Sequence, residues 1–219
     1  MASIEINGHE DTKGLCVDIS ERIINEVADY HFSQSGDLKE FLLTDQFLVN
    51  TYKAKNTNLG YALHEINRQV SNGHPNNELL NTELFYSIAE SIVADQAIIY
   101  EQYSRLRFKK TETRQSLFRQ LLEAREYMDA HLSDDIHLDQ IIQNAFMSKY
   151  HFIRLFKATF ILSPYQYILR KRLESARVQL LGGSNVTETA FEAGYPDASS
   201  FSKAFKAAFG VTPSSVRLK

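Results

Sequence analysis

Apolar residues in this chain change their spacing at about residue 20. Ser3-Ile-Glu-Ile alternates, and Gly14-Leu-Cys-Val-Asp-Ile alternates again after a polar turn, so residues 1–19 read as one or two short strands. From Ser20 the period is helical. Ile23, Ile24, Val27 and Ala28 make a stripe behind a Ser20 cap, and Leu38, Phe41, Leu42, Phe47 and Leu48 make another. Asn56-Thr-Asn caps a third helix from about residue 59 to 70, and 71–77 is a loop by composition. Leu80, Leu84, Phe85, Ile88, Ile92 and Ile99 place a long helix over 78–106. The charged stretch Phe108-Lys-Lys-Thr-Glu-Thr marks a boundary between a helical region, 1–110, and a second domain, 111–219. Beyond it the spacing stays helical, so the fold class is mainly all-α.

The second domain contains a repeat. Phe152-Ile-Arg-Leu-Phe-Lys-Ala-Thr-Phe-Ile-Leu-Ser-Pro, shifted by 49 positions, meets Phe201-Ser-Lys-Ala-Phe-Lys-Ala-Ala-Phe-Gly-Val-Thr-Pro. Upstream, Leu138-Asp-Gln-Ile-Ile meets Val186-Thr-Glu-Thr-Ala at a shift of 48, so the second copy has one more residue in its turn. Each copy is a short helix, a tight turn and a second helix. In the first, Leu138, Ile141, Ile142 and Ala145 form an apolar face, Phe146-Met147 turns, and Ser148 caps a helix that buries Phe152, Leu155, Phe156 and Phe160. In the second, Val186, Thr189, Ala190 and Ala193 lead through Gly194-Tyr-Pro-Asp to a helix burying Phe201, Ala204, Phe205 and Phe209.

Two such helices make a helix-turn-helix, whose second helix enters the DNA major groove. Off the buried stripe lie Lys149, Tyr150, Ile153, Arg154 and Lys157 in the first copy, and Ala198, Ser199, Ser200, Ser202, Lys203 and Lys206 in the second. Arg and Lys read guanine, Ser donates or accepts, and Ile or Ala touches a thymine methyl. Lys157 and Lys206, one turn further on, suit phosphate. Residues 163–181 read as one linker helix, stopped by Gly182-Gly183. At roughly 1.5 Å per residue it is about 28 Å long, against about 34 Å for one turn of B-DNA. One chain can thus hold two recognition helices on one face of a duplex.

Charge agrees with this division. Residues 115–219 hold 13 Lys+Arg against 10 Asp+Glu, +3, while residues 1–114 hold 11 against 17, −6, within a formal net charge of −3. A basic half beside an acidic one is the asymmetry expected when only one half meets phosphate. The single Cys16 excludes an intrachain disulfide framework. No apolar run is long enough to span a membrane, and the first residues lack a signal-peptide pattern, so a cytoplasmic protein is expected. None of the 7 His has metal-ligand spacing. No glycine-rich phosphate loop or paired-carboxylate motif appears, Glu90, Asp95 and Glu101 included. No cofactor and no enzymatic activity are therefore expected.

Residues 138–213 resemble the DNA-binding domain of the AraC/XylS-type transcription regulators. The resemblance rests on Arg172-Leu-Glu-Ser-Ala-Arg-Val-Gln-Leu-Leu in the linker helix, on Val186-Thr-Glu-Thr-Ala-Phe-Glu-Ala-Gly-Tyr, and on Ser200-Phe-Ser-Lys-Ala-Phe-Lys-Ala-Ala-Phe-Gly-Val-Thr-Pro. It implies binding of asymmetric promoter sites and control of transcription, as an activator, through RNA polymerase. Its base-contact positions fall on Tyr150, Ile153 and Arg154, and on Ser199, Ser200, Ser202 and Lys203. It also implies an effector or dimerising region ahead of the domain, often a small β-barrel. Nineteen residues of strand do not make a barrel, so residues 1–106 read as the tail of such a region. The stripe of Leu84, Ile88, Ile92 and Ile99 then reads either as intramolecular core or as a seam that pairs two chains as a homodimer.

Two positions depart from that family. Ile161 stands where Gly commonly closes the first recognition helix, so that helix either ends differently or is strained there. Ile142 replaces a small residue and should hold the first pair of helices apart. The competing reading is a helical protein-interaction module that has lost DNA binding. Lys149, Arg154, Lys157, Lys203 and Lys206 speak against it.

Overall fold

The computed structural model describes residues 3–9, 12–31, 36–43, 57–71, 82–134, 136–142 and 147–216. The chain divides into two compact units, residues 1–104 and 105–219. Sequence expectations that fall on Phe47, Leu48, Asn56, Leu80, Ala145 and Phe146, and on the loop after Ser71, lie outside the described residues.

In the first unit, strands β1 (Ser3–His9) and β2 (Thr12–Asp18) pair antiparallel in a register running from Ser3 opposite Asp18 to His9 opposite Thr12. Helices α1 (Glu21–His31), α2 (Gly36–Leu43), α3 (Asn58–Ser71) and α4 (Thr82–Ser104) follow. The longest, α4, is central and packs against the other three. Its Phe85, Ile88, Ala89, Val93, Ile99 and Tyr103 are buried, as are Ile23, Val27 and Ala28 of α1 and Leu38, Phe41 and Leu42 of α2. Of the stripe on α4, Ile88 (1% exposed within a single chain) and Ile99 (4%) belong to this unit's own core, whereas Leu84 and Ile92 are half-buried.

Buried polar chemistry in this unit is concentrated at one helix end. The Asp95 carboxylate, 8% exposed, accepts hydrogen bonds from the backbone N–H groups of Asn58 (3.1 Å) and Leu59 (3.0 Å) and from the Asn58 side chain (2.9 Å). Thr57 Oγ1 takes the N–H of Gly60 at 2.9 Å. The first turn of α3 is thus capped partly from α4. A negative charge satisfying orphan N–H groups is favourable here both by hydrogen bonding and by the helix dipole. Asp95 is thereby explained as structure.

The second unit comprises α5 (Thr111–Ala130), α6 (Leu138–Ile142), α7 (Lys149–Phe160), α8 (Pro164–Leu181), α9 (Val186–Glu192), α10 (Ala198–Phe209) and α11 (Pro213–Val216). Helix α8 begins with a capping box: Ser163 Oγ accepts from Gln166 N, and Gln166 Oε1 accepts from Ser163 N. It touches α5 and α7 on one side and α9, α10 and α11 on the other.

The repeat extends to a third helix. At a shift of 52, Leu121 of α5 corresponds to Leu173 of α8, Ala124 to Ala176 and Met128 to Leu180, and all six are at most 5% exposed. Each unit of the repeat is therefore one long helix and one helix-turn-helix. Leu173, Ala176, Leu180, Ala190, Ala193, Phe201 and Phe205 form a single core in the second copy. In the first copy Phe118, Leu121, Met128, Phe152 and Phe156 are each 0% exposed. Full burial of such aromatic rings makes them the costliest residues to truncate, at about 3–5 kcal/mol for Phe to Ala.

Candidate nucleic-acid interface

The two recognition helices are built alike from cap to cap. Ser148 Oγ accepts from His151 N at 3.3 Å to start α7, and Asp197 Oδ1 accepts from Ser200 N at 2.7 Å to start α10. The inner faces carry matching ring ladders: Phe152–Phe156–Phe160 with centroids 5.6 and 4.6 Å apart, and Phe201–Phe205–Phe209 with 5.5 and 4.7 Å. Both helices end on a left-handed residue whose N–H bonds back four positions. These residues are Ile161 (φ 70°, bonded to Lys157 O at 2.9 Å) and Gly210 (φ 76°, bonded to Lys206 O at 2.8 Å). Of the two readings left open at Ile161, strain is the outcome. It is the single non-glycine residue with positive φ among the described residues, and it stays 64% exposed.

Arginines bond equivalent carbonyls near both helix ends, although Arg105 and Arg170 are not themselves repeat equivalents. Arg105 Nη1 donates to Thr159 O at 3.0 Å, and Arg170 Nη1 donates to Ala208 O at 3.1 Å. Arg125 lies over the Phe160 ring at 5.2 Å, and its counterpart Arg177 lies over Phe209 at 5.2 Å. Cations over ring faces and at helix C-termini are both favourable. Sequence reasoning did not single out these arginines. The 52-residue shift that aligns Arg125 with Arg177 is the signal that could have found that pair; it does not align Arg105 with Arg170.

The expected contact residues lie as follows. On α7, Tyr150 is 78% exposed and Ile153 37%, and Lys149, Arg154 and Lys157 are exposed. On α10, Ser199, Lys203 and Lys206 are exposed, while Ser200 and Ser202 are half-buried. Ala198 packs against the second core. Three side chains already have internal partners. Lys149 Nζ is 2.6 Å from the Asp139 carboxylate on α6. The Ser200 hydroxyl donates to Asp197 Oδ2 at 2.9 Å, and the Ser202 hydroxyl to Ala198 O at 2.7 Å. Those serines can still accept a hydrogen bond, but their protons are committed. Asp197 is held below the usual carboxylate range, first by the Ser200 N–H and then by the Ser200 hydroxyl.

Neither α7 nor α10 contains an Asp or Glu. Their outward charge is therefore wholly positive; Arg154 and Lys157 are answered by Lys203 and Lys206, while Lys149 is answered by Ala198. The scaffold helices differ more. Ala190 is fully buried, whereas its counterpart Ile142 is half-buried, as a larger side chain at a close helix contact requires. Thr189, at 1% exposure, replaces Ile141 on the buried face.

Among the described residues no cluster of His, Cys, Asp and Glu could hold a metal ion, and no helix is long and apolar enough to cross a membrane.

Comparison with known proteins places these features. A helix-turn-helix domain family matches residues 141–219. The chain is 33% identical over 96 residues to the regulatory protein PocR of Salmonella typhimurium, covering 43% of this chain and 32% of that one. It is 30% identical over 117 residues to the HTH-type transcriptional activator AarP of Providencia stuartii, covering 53% of this chain and 82% of AarP. The chain thus spans about a third of PocR's length but most of AarP's. A solved AraC-type DNA-binding regulator from Chromobacterium violaceum is 29% identical, with 45% of this chain and 89% of that one covered and a TM-score of 0.42.

Proposed function

The chain belongs to the AraC-type DNA-binding transcription regulators, and from that premise we propose that its second unit grips one asymmetric promoter site as a monomer. Helices α7 and α10 enter successive major-groove segments. The observation that carries this reading is the pair of equivalent, capped helices whose exposed faces bear only positive charge.

Within that mode, Arg154 and Lys203 reach guanine edges from equivalent positions. Tyr150 and Ile153 meet apolar base edges, and Ser199 offers the free hydroxyl of α10. Ser200 and Ser202 act as acceptors only. Lys157 and Lys206, in the last turns, take backbone phosphates. Lys149 does so after exchanging Asp139 for phosphate. Binding releases counterions and therefore weakens steeply with salt. Once bound, the protein acts on transcription as an activator through RNA polymerase. One chain supplies both recognition helices, so this mode requires no homodimer.

The test is selection of bound sequences from random DNA with the full chain, followed by footprinting. Two protected patches about 10 base pairs apart on one face are expected. Inserting Gly-Gly after Arg170 should abolish tight binding while leaving helical content intact. An unchanged footprint after that insertion overturns the two-groove mode in favour of a single reading unit.

A further inference from the structure

Arg172, at the middle of α8, is bonded to the segment that leads into the first helix-turn-helix and lies against the turn of the second. Its Nε donates to Leu132 O at 2.8 Å and its Nη2 to Asp134 O at 2.7 Å. Both carbonyls belong to the segment leading from α5 into α6. On its other side Nη1 faces Gly194, in the turn between α9 and α10. A Cβ at Gly194 would lie 2.5 Å from Arg172 Nη1, and the Gly194 φ of 80° already favours glycine. One guanidinium therefore ties the segment that leads into α6 to the turn that sets the direction of α10.

The remaining contacts of α8 are divided between the two copies of the repeat. Tyr167 donates to Asp129 Oδ1 at 2.8 Å and meets the Phe156 ring edge-on at 5.8 Å, holding the first copy of the repeat. Leu173, Ala176 and Leu180 belong to the core of the second. Apolar packing of this kind resists separation but has little directional preference, whereas two hydrogen bonds from a planar fork fix rotation as well as distance.

We propose that Arg172 is a positioning residue that sets the spacing and angle between the two recognition helices, and hence the half-site separation the protein accepts. This inference rests on the two-groove reading above. Arg172 touches no DNA in this account. It acts by keeping the second binding event at a high effective concentration for one separation only.

The test uses the full chain with Arg172→Met and Arg172→Lys. Lysine keeps the charge and alkyl stem but cannot donate to both carbonyls in fixed geometry. The binding readout is affinity for the selected site and for the same site with one or two base pairs inserted between its halves. The structural readout is a distance distribution between nitroxides on Ala158→Cys and Ala207→Cys, two exposed and repeat-equivalent positions, in a Cys16→Ser background.

Unaltered protein should give a narrow distribution and reject the lengthened sites by roughly tenfold or more. Both Arg172 variants should broaden the distribution and flatten the spacing preference, with affinity for random DNA unchanged. Should Arg172→Met not fold, Arg172→Lys alone carries the decision. A folded Arg172→Lys protein with unchanged distribution and spacing preference overturns the role of Arg172. If unaltered protein tolerates every separation equally while its distance distribution is narrow, the two-groove reading itself fails instead.

Discussion

Ile161 offers a measurement of backbone strain with its control built into the same chain. A branched L-residue held at φ 70° should cost about 1–2 kcal/mol relative to right-handed backbone. Its side chain is 64% exposed, so little packing offsets that cost. Comparing I161G with I161A removes even this remainder, because both variants have lost the isoleucine contacts. Glycine's greater freedom in the unfolded chain takes back about 0.4–1 kcal/mol. I161G should therefore be more stable than I161A by about 0.5–1 kcal/mol. At the equivalent cap, Gly210 has φ 76°, and a Cβ there would meet nothing within 4 Å. Gly210→Ala should lose the same amount for the same reason, free of any clash. Equilibrium urea unfolding measures both steps, with the slope checked for constancy so that midpoint shifts report stability. Equal stability of I161A and I161G, or no loss on Gly210→Ala, would refute the claim that these caps are governed by backbone conformation.

Two further outcomes follow from the site. Changing Arg154 or Lys203 to Ala should cost about 1–3 kcal/mol on the selected sequence and relax preference in one half-site only; equal losses on random DNA would reduce both to phosphate contacts. Asp197→Ala should destabilise the protein at neutral pH by removing the α10 cap. Because the Asp197 carboxyl is depressed in the folded state, its contribution is present above the ordinary Asp pKa of about 3.9 and disappears as pH falls below it. The stability gap between Asp197→Ala and unaltered protein should close on acidification, as followed by thermal melts, and a gap constant with pH would assign the cap to something other than the ionised carboxylate.

The helix-turn-helix copies were legible because their rings recur every four residues and their caps recur at a fixed offset. Local periodicity encodes both. The third helix of the repeat was not, because the connection from α5 to α6 spans residues 131–137 while that from α8 to α9 spans only 182–185. The offset therefore changes between the helices, and Phe118 is answered by Arg170. The stripe on α4 illustrates a different limit. An apolar face looks the same in sequence whether its own unit or a second chain covers it; in the folded unit Ile88 and Ile99 are covered from within, while Leu84 and Ile92 stay half-buried. Serine was ambiguous for a third reason: a hydroxyl near a helix start either caps, bonds back to the preceding turn or faces solvent. Ser148, Ser202 and Ser199 do these three things respectively.

Sharing α8 between two cores has a thermodynamic consequence. If the second helix-turn-helix opened alone, Leu173, Ala176 and Leu180 would be stripped while α8 remained pinned to α5 through Tyr167 and to the segment after α5 through Arg172. If the first opened alone, α8 would lose the contacts that hold its N-terminal half. Each opening exposes apolar area on a helix the other copy needs, so a half-melted state inherits a cost that neither copy would bear in isolation. The two copies should therefore unfold in one transition, with amide protection along α8 set by the stability of the pair. On the two-groove reading, unfolding of such a chain would remove both halves of its site together.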